Sequence, residues 1–266
     1  MVNIAPMCRD AAELRLGKTA ARFDARTLRL ATYTRKSKVV APANVTWLAK
    51  YLTSPMYLND QIGCCTFASF AHLFGTWTAY ATGTPLVFPD AAILTGYIAV
   101  TGQEGAAFNP KTGANDNGCN MLDVLNYVKK TGLGGHKILA YMSIDPKNHN
   151  EVMLGMNWFG GIYTGVALPV TAQNLSRPWR RNPGALVGNN APGSWGGHAI
   201  EVASASHNGL TCKTWDQLQS MDWAFWDAYV DEAYAVLSLD WLCNSKAPNG
   251  LDLAQLQVDL AALPAN

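Results

Sequence analysis

A cysteine and a histidine far apart in the chain are the residues best suited to covalent chemistry. Cys65 lies in the stretch 59–66 (NDQIGCCT), and His198 follows 133 residues later between Gly197 and Ala199. A thiol attacks a carbonyl carbon as the thiolate, and a nearby imidazole or a helix N-terminus lowers its pKa. Such a pair meets only in the folded chain. We therefore expect Cys65 to attack a carbonyl carbon and His198 to relay the proton.

The elements around these residues would place them suitably. Residues 66–82 carry apolar side chains at helical spacing on almost every face, which predicts a central buried helix. Cys65 would occupy its first turn, where free N–H groups and the helix dipole favour an anion and could also hold an oxyanion. His72 is two helical turns further on, roughly 10 Å away, and is expected to be structural.

The remaining pattern predicts an α+β fold. Helices are predicted first and strands second, which is unlike a βαβ repeat. The predicted helices span 90–100, 121–130, 221–229 and 251–263, and the predicted strands span 161–168, 198–205, 210–215 and 234–238. A loop at 171–197 contains three prolines and five glycines, and loops of that length are usually functional or mobile.

Composition limits the function classes. The chain has 266 residues, of which 49% are hydrophobic, and no apolar run is long enough to span a membrane. It lacks an apolar signal-peptide core near Met1 and has six cysteines without a C-x-x-C pair, so we expect a soluble, cytoplasmic protein in a reduced compartment. Nothing matches a phosphate-binding glycine loop or a nucleic-acid module. No cofactor, membrane or nucleic-acid partner is expected.

Charge is unevenly distributed along the chain. Residues 1–41 hold nine Lys/Arg against three Asp/Glu, so about +6, and the remainder holds 11 against 16, so about −5. The basic segment could be a solvated face, could dock on the acidic body, or could bind a protein assembly partner.

A zinc site is a further alternative, and its ligands would be Cys64, Cys65, Cys119 and His198. The paired short spacings of structural zinc sites are absent, so no metal is expected.

Five motifs in order give the chain a resemblance to the papain-like cysteine peptidases, and more closely to an uncharacterised bacterial and phage branch. The motifs are Pro42–Trp47, Gln61–Ala68, Gly197–Ile200, Lys213–Asp216 and Tyr229–Val236. The resemblance implies a papain-like domain at 42–243, with an N-terminal helical subdomain containing the nucleophile helix and a C-terminal antiparallel β subdomain. Residues 1–41 would be a basic arm or propeptide-like segment, and 244–266 a helical tail.

The resemblance also assigns roles, with departures. Gln61 and the Cys65 N–H would hold the oxyanion, but Gln61 precedes Cys65 by four residues where the papain pattern has six. Lys213 stands at the asparagine that orients the histidine and cannot accept a hydrogen bond, so Asp216 is the predicted substitute.

Three further residues would line the substrate cleft, namely Trp195, Trp215 and Gly197. The resulting hypothesis is a papain-like thiol hydrolase that cleaves a peptide or amide bond in a peptide or protein substrate. The alternative is a catalytically weak or inactive binding or structural protein on the same fold, for example a virion-associated phage particle component. The two departures and the basic arm support this alternative, and fold does not decide between the two hypotheses.

Overall fold

A computed structural model describes residues 11–34, 40–103 and 105–242. The helices are α1 (Leu30–Thr34), α2 (Cys65–Ala81), α3 (Asp90–Thr101), α4 (Met121–Lys130), α5 (His149–Phe159) and α6 (Trp223–Tyr229). The strands are β1 (Leu28–Arg29), β2 (Asn44–Thr46), β3 (Ile138–Ile144), β4 (Ile162–Leu168), β5 (Gly196–Ser206), β6 (Gly209–Thr214), β7 (Gln217–Met221) and β8 (Val230–Ser238). The predicted helix at 251–263 and the tail at 244–266 lie outside the described residues.

The strands of the described region form one mixed sheet in the order β1-β3-β8-β4-β5-β6-β7, and β2 pairs with β5. The β1–β3 pair is parallel, and the other pairs are antiparallel. Helices from the first half of the chain pack on this sheet, which confirms the α+β prediction. The elements β3, β7 and α5 were not predicted, because their apolar residues follow neither period closely.

The two faces of the sheet bury two separate hydrophobic clusters. Successive residues of a strand point to opposite faces. Thus Tyr234 and Val236 of β8 belong to the cluster around α2, α3 and α4, while Ala233 and Ala235 belong to the cluster that includes α5 and α6. Strand β5 contributes residues to both clusters, and α2 packs against it.

Helix α2 is buried along nearly its whole length, as predicted. Its aromatic residues Phe67, Phe70, Phe74 and Trp77 are all inaccessible to solvent. The Trp77 indole N–H also donates to the carbonyl oxygen of Phe159 at 2.7 Å, which satisfies its polar group. Among the described residues, no helix is both long enough and apolar enough to cross a membrane.

The described part of the N-terminal segment packs against the rest of the molecule. Leu14 and Leu30 are buried in the cluster that contains α5 and α6, and β1 pairs with β3. The boundary predicted at residue 41 therefore divides residues that share one core.

A buried ion pair ties α2 to the sheet. Lys213 of β6 and Glu201 of β5 are opposite each other in the ladder and fully buried, with Nζ and Oε2 3.3 Å apart. Lys213 Nζ also donates to Thr76 Oγ1 of α2 at 2.6 Å and lies 4.7 Å from the Tyr51 ring centroid. Thr76 in turn donates to Glu201 Oε1 at 2.5 Å. Each charged group thus has a partner on a neighbouring element.

Removing one partner of this pair should be costly, whereas removing both should cost less. We expect Lys213→Met to lower the free energy of unfolding by about 3–5 kcal/mol, because Glu201 would remain buried without a cation. The double variant Lys213→Met/Glu201→Met should recover a large part of that loss. Urea unfolding of the three proteins measures this. A double variant as unstable as the single one would contradict the account.

Candidate active site

Cys65 lies where the first turn of α2 meets the first residues of β5. The backbone N–H groups of Ala199, Gly17 and Thr66 face its sulfur. Burial raises the pKa of the Cys65 thiol to about 11, and these three N–H groups, together with the charge of Lys18, act in the opposite direction. In this buried position the Cys65 thiol is therefore protonated near neutral pH.

Cys64 points elsewhere. Its Sγ lies 3.1 Å from the carbonyl oxygen of Tyr57, to which it donates. Burial raises the pKa of the Cys64 thiol well above its usual value, and the neighbouring Cys65 adds to that effect. Cys64 is the residue that precedes α2, and its sulfur faces the Tyr57 carbonyl, so of the two cysteines only Cys65 faces the junction with β5.

His198 is held on two sides. Its ring stacks on Trp215, with centroids 4.2 Å apart and planes 17° from parallel, and its Nε2 shares a hydrogen bond of 2.7 Å with Thr214 Oγ1. Burial lowers the pKa of His198 to about 3, and the nearby His72 ring adds to that effect. Among the described residues Nδ1 has no hydrogen-bond partner, so the imidazole and the Cys65 thiol are not hydrogen-bonded here.

Thr214, rather than Asp216, accompanies the imidazole. Asp216 lies partly buried in the turn between β6 and β7 and contacts neither ring nitrogen of His198. Lys213 occupies the predicted asparagine position but forms an ion pair with Glu201. Neighbouring residues of a strand face opposite sides of the sheet, so Thr214 and not Lys213 points toward His198. Thr214 was not among the predicted site residues. Strand alternation between Lys213 and Thr214 is the sequence signal that could have identified it.

Gln61 is exposed in the turn that precedes α2. Asn59 is buried instead, and its Nδ2 donates to the carbonyl oxygens of Arg15 at 3.2 Å and Ile62 at 3.3 Å. The Trp215 indole N–H also donates to the Arg15 carbonyl oxygen at 3.2 Å. Two donors thus converge on one peptide oxygen. The sequence signal for Asn59 was its place six residues before Cys65, the spacing of the papain pattern.

Residues 14–19, here called the cleft segment, cross the site as an extended peptide. Arg15 N–H donates to the Asn59 carbonyl at 3.1 Å, and Lys18 N–H donates to the Gly197 carbonyl at 3.0 Å. Cys119 N–H donates to the Gly17 carbonyl at 2.7 Å, and Thr19 N–H donates to the Cys119 carbonyl at 3.1 Å. The segment is therefore bonded through its backbone to both walls of a cleft that contains the thiol.

Glycines allow this close approach. A Cβ on Gly17 would lie 1.7 Å from the Gly63 carbonyl oxygen, and a Cβ on Gly197 would lie 2.1 Å from the Lys18 carbonyl oxygen. Both contacts are with backbone, which cannot move aside cheaply. The predicted cleft residue Gly197 thus contacts the segment directly.

Asp116 braces the loop before the nucleophile. Its carboxylate accepts the Gly63 N–H at 3.0 and 3.1 Å and the Tyr97 hydroxyl. This contact was not predicted from the sequence. The Tyr97 oxygen also accepts the Gly118 N–H at 3.0 Å, so the turn at 116–118 is fixed to the loop before Cys65.

The two predicted cleft tryptophans lie together beside His198. Their ring centroids are 5.8 Å apart, and Trp215 is buried while Trp195 is half-buried. Trp215 has a φ of +50°, an uncommon backbone conformation for a bulky residue that is associated with functional sites. Within the described ranges no three His, Cys, Asp or Glu side chains cluster closely enough to hold a metal ion.

Comparison with solved structures gives similarity to cysteine proteases. Xylellain, a cysteine protease from Xylella fastidiosa, matches with a TM-score of 0.64 at 12% identity, covering 89% of this chain and 99% of that one. Digestive procathepsin L 3 of Tenebrio molitor matches with a TM-score of 0.52 at 11% identity, covering 85% and 77%. A Carica candamarcensis cysteine protease in complex with E-64 matches with a TM-score of 0.51 at 11% identity, covering 74% and 99%.

No protein-family model and no curated protein sequence matches the chain. At identities of 11–13% the structural likeness establishes architecture and not activity. The chain has the papain-like fold.

Proposed function

We propose that this protein is a papain-like thiol hydrolase that cleaves peptide or amide bonds through Cys65 and His198, and that the cleft segment holds it closed. One observation carries the proposal. An extended peptide, supplied by the chain itself, lies across the thiol and is bonded to both cleft walls. A groove that binds one peptide backbone in this way is suited to binding another.

The neighbouring groups suggest a division of roles. Cys65 attacks the carbonyl carbon, and His198 takes the thiol proton and returns it to the leaving amine. The Cys65 N–H at the helix start and the Asn59 amide stabilise the oxyanion, because both are fixed donors in a buried site. Thr214 and Trp215 are positioning residues that fix the imidazole. Gln61 and Asp216 are left without a catalytic role.

The bound segment is placed so that it would resist cleavage. Gly17 turns its N–H toward the sulfur, while its carbonyl oxygen accepts from Cys119 on the cleft wall. Attack requires one peptide group that presents its carbonyl carbon to the sulfur and its oxygen to both oxyanion donors. The Arg15 carbonyl oxygen accepts from Asn59, but the group that faces the sulfur is the Gly17 N–H. The segment therefore occupies the cleft as an inhibitor and not as a substrate.

A binding protein on the same fold is the second candidate. The unpaired Nδ1 of His198 and the neutral state of both His198 and Cys65 favour it. Burial is the main cause of both pKa shifts, and the cleft segment lies against the Cys65 sulfur, so it supplies part of the burial of that thiol. Opening the cleft therefore distinguishes a latent enzyme from a binding protein.

Gly17→Val should open the cleft in the full chain, because the new Cβ would collide with the Gly63 carbonyl. We expect alkylation of Cys65 by iodoacetamide at pH 7 to become at least about tenfold faster than in wild type, since a rehydrated thiol regains an ordinary pKa. In wild type the rate should rise about tenfold per pH unit up to a pKa of about 11. Mass spectrometry of timed samples measures both rates.

The control is Gly83→Val, on a surface turn where a Cβ meets nothing within 4 Å. Unlike Gly17, Gly83 has a positive φ of +85°, so this variant shows what backbone strain alone does to the labelling rate. Equal Cys65 labelling rates in wild type and Gly17→Val, with the native unfolding transition retained, would contradict the occlusion.

The open variant should hydrolyse peptides through one particular cysteine. We expect Gly17→Val to release fluorophore from a pool of fluorogenic peptides, and the added Cys65→Ala substitution to abolish that activity. The matched change Cys64→Ala should retain it, because the Cys64 sulfur faces the Tyr57 carbonyl. If the open variant and its Cys65→Ala form are equally silent across the pool, the binding-protein reading replaces the enzyme.

Thr214 should matter through its hydroxyl. In the open variant we expect Thr214→Val to lower kcat about tenfold or more while KM changes little, because the imidazole loses the partner that fixes its tautomer and orientation. Thr214→Ser keeps the hydroxyl and should restore most of kcat. A Thr214→Val variant with unchanged kcat would show that Thr214 does not position the imidazole.

A further inference from the structure

The cleft segment places one cationic side chain in a buried acidic pocket next to the thiol. Lys18 follows Gly17, whose N–H faces the Cys65 sulfur, and the Lys18 side chain is only 1% exposed. Its Nζ lies 2.8 Å from Asp231 Oδ2 and 3.0 Å from Glu232 Oε1. It also donates to the Thr19 carbonyl at 3.2 Å. The ammonium is therefore paired with two carboxylates at the start of β8.

The pocket is shaped as well as charged. A Cβ on Gly165 would lie 2.2 Å from Lys18 Cε and 2.9 Å from Met121 Sδ, so the absence of a side chain at this position leaves the passage that the lysine uses. At the far end the Tyr234 hydroxyl donates to Glu232 Oε2 at 2.8 Å, which fixes that carboxylate. The pocket thus fits a long, unbranched stem with a positive end.

The two carboxylates at the end of the pocket require a cationic partner. Glu232 is 7% exposed, and burial raises its pKa while Lys18 opposes that shift. Although burial disfavours a charged amine, Glu232 and Asp231 hold the pKa of Lys18 above its usual value. If Lys18 leaves and no cation replaces it, a carboxylate remains buried without a counter-ion, which is costly.

We propose that this pocket is the specificity site of the cleft, and that the protein selects peptides with a lysine or arginine side chain, which pairs with Glu232 and Asp231. As a statement about which bonds are cleaved, this inference rests on the proposed function. Peptide binding by itself also tests it. A site built around a buried charged group rejects ligands that lack the partner far more strongly than an apolar pocket rejects a missing methylene.

The experiment uses the full chain carrying Gly17→Val and Cys65→Ala, so that the cleft is open and no bond is cut. The probe is a fluorescent peptide of sequence ELRLGKTA, which copies residues 13–20, and its matched control replaces the lysine with methionine. We expect the lysine peptide to bind at least about tenfold more tightly. Adding Glu232→Gln should remove most of that difference, because the pocket loses its fixed charge. Gly165→Val should weaken the lysine peptide selectively by filling the passage.

Equal affinity for the two peptides, binding of neither by a folded protein, or a lysine preference that survives Glu232→Gln/Asp231→Asn would overturn the proposal. Turnover is judged separately with Gly17→Val carrying an intact Cys65. Lysine-selective binding without hydrolysis of any peptide would refute the hydrolase and leave the pocket. Hydrolysis without preference for a basic residue would refute the specificity pocket and leave the hydrolase.

A second measurement does not depend on Gly17→Val folding. In the otherwise native chain, Lys18→Met should speed alkylation of Cys65 several-fold, because the cleft segment loses its ionic anchor. Lys18→Arg keeps the charge and should alkylate at close to the wild-type rate. If Lys18→Met and Lys18→Arg give the same rate as wild type, the pocket does not hold the segment through charge and the proposal fails.

Discussion

The close approach of the first turn of α2 to the first residues of β5 is the constraint on which the site depends. The Ala199 N–H faces the Cys65 sulfur, and the next residue toward the start of β5 is the histidine. The separation of thiol and imidazole is thus set by how α2 rests on the sheet. The buried aromatic face of α2 and the Lys213–Glu201 pair hold α2 against β5. Core packing therefore determines the geometry of the site.

The same burial that makes the contact also makes the closed site unreactive. An enclosed thiol stays protonated and an enclosed imidazole stays neutral, since neither charged form is solvated. The cleft segment completes the enclosure through backbone hydrogen bonds and the Lys18 ion pairs. Readmitting water would move both pKa values toward each other. On the proposed function, latency and activity are two hydration states of the same residues.

Much of the fold followed from the sequence because its strongest elements have clear periods. The all-round apolar pattern of α2 predicted a buried central helix, and the ordered motifs predicted the architecture. Cys65, His198 and Trp215 were identified because residue type and local pattern distinguish them. The hydrogen-bond partner of His198 and the buried amide before α2 could not be predicted, because strand alternation and burial decide them. Thus Thr214 and not Asp216 bonds to His198, and Asn59 is buried while Gln61 is exposed.

Two further features depended on tertiary structure alone. The basic character of residues 1–41 left open a solvated face, docking on the body or binding of a protein partner, and no local pattern shows that one lysine enters a pocket at residues 231–232. Likewise, the glycines that allow the close passage of the cleft segment are recognisable only when the opposing backbone is placed. Contacts between residues distant in sequence, and not local propensity, define this site.

Trapping an acyl group on the protein tests the central claim most directly. Gly17→Val and wild type would each be mixed briefly with a p-nitrophenyl ester of a lysine-containing peptide, quenched in acid, and mapped by mass spectrometry. The account predicts one acyl group per chain on Cys65 of the open variant and almost none on wild type in the same interval. Acylation of another residue, equal acylation of both proteins, or none on a folded open variant would contradict it.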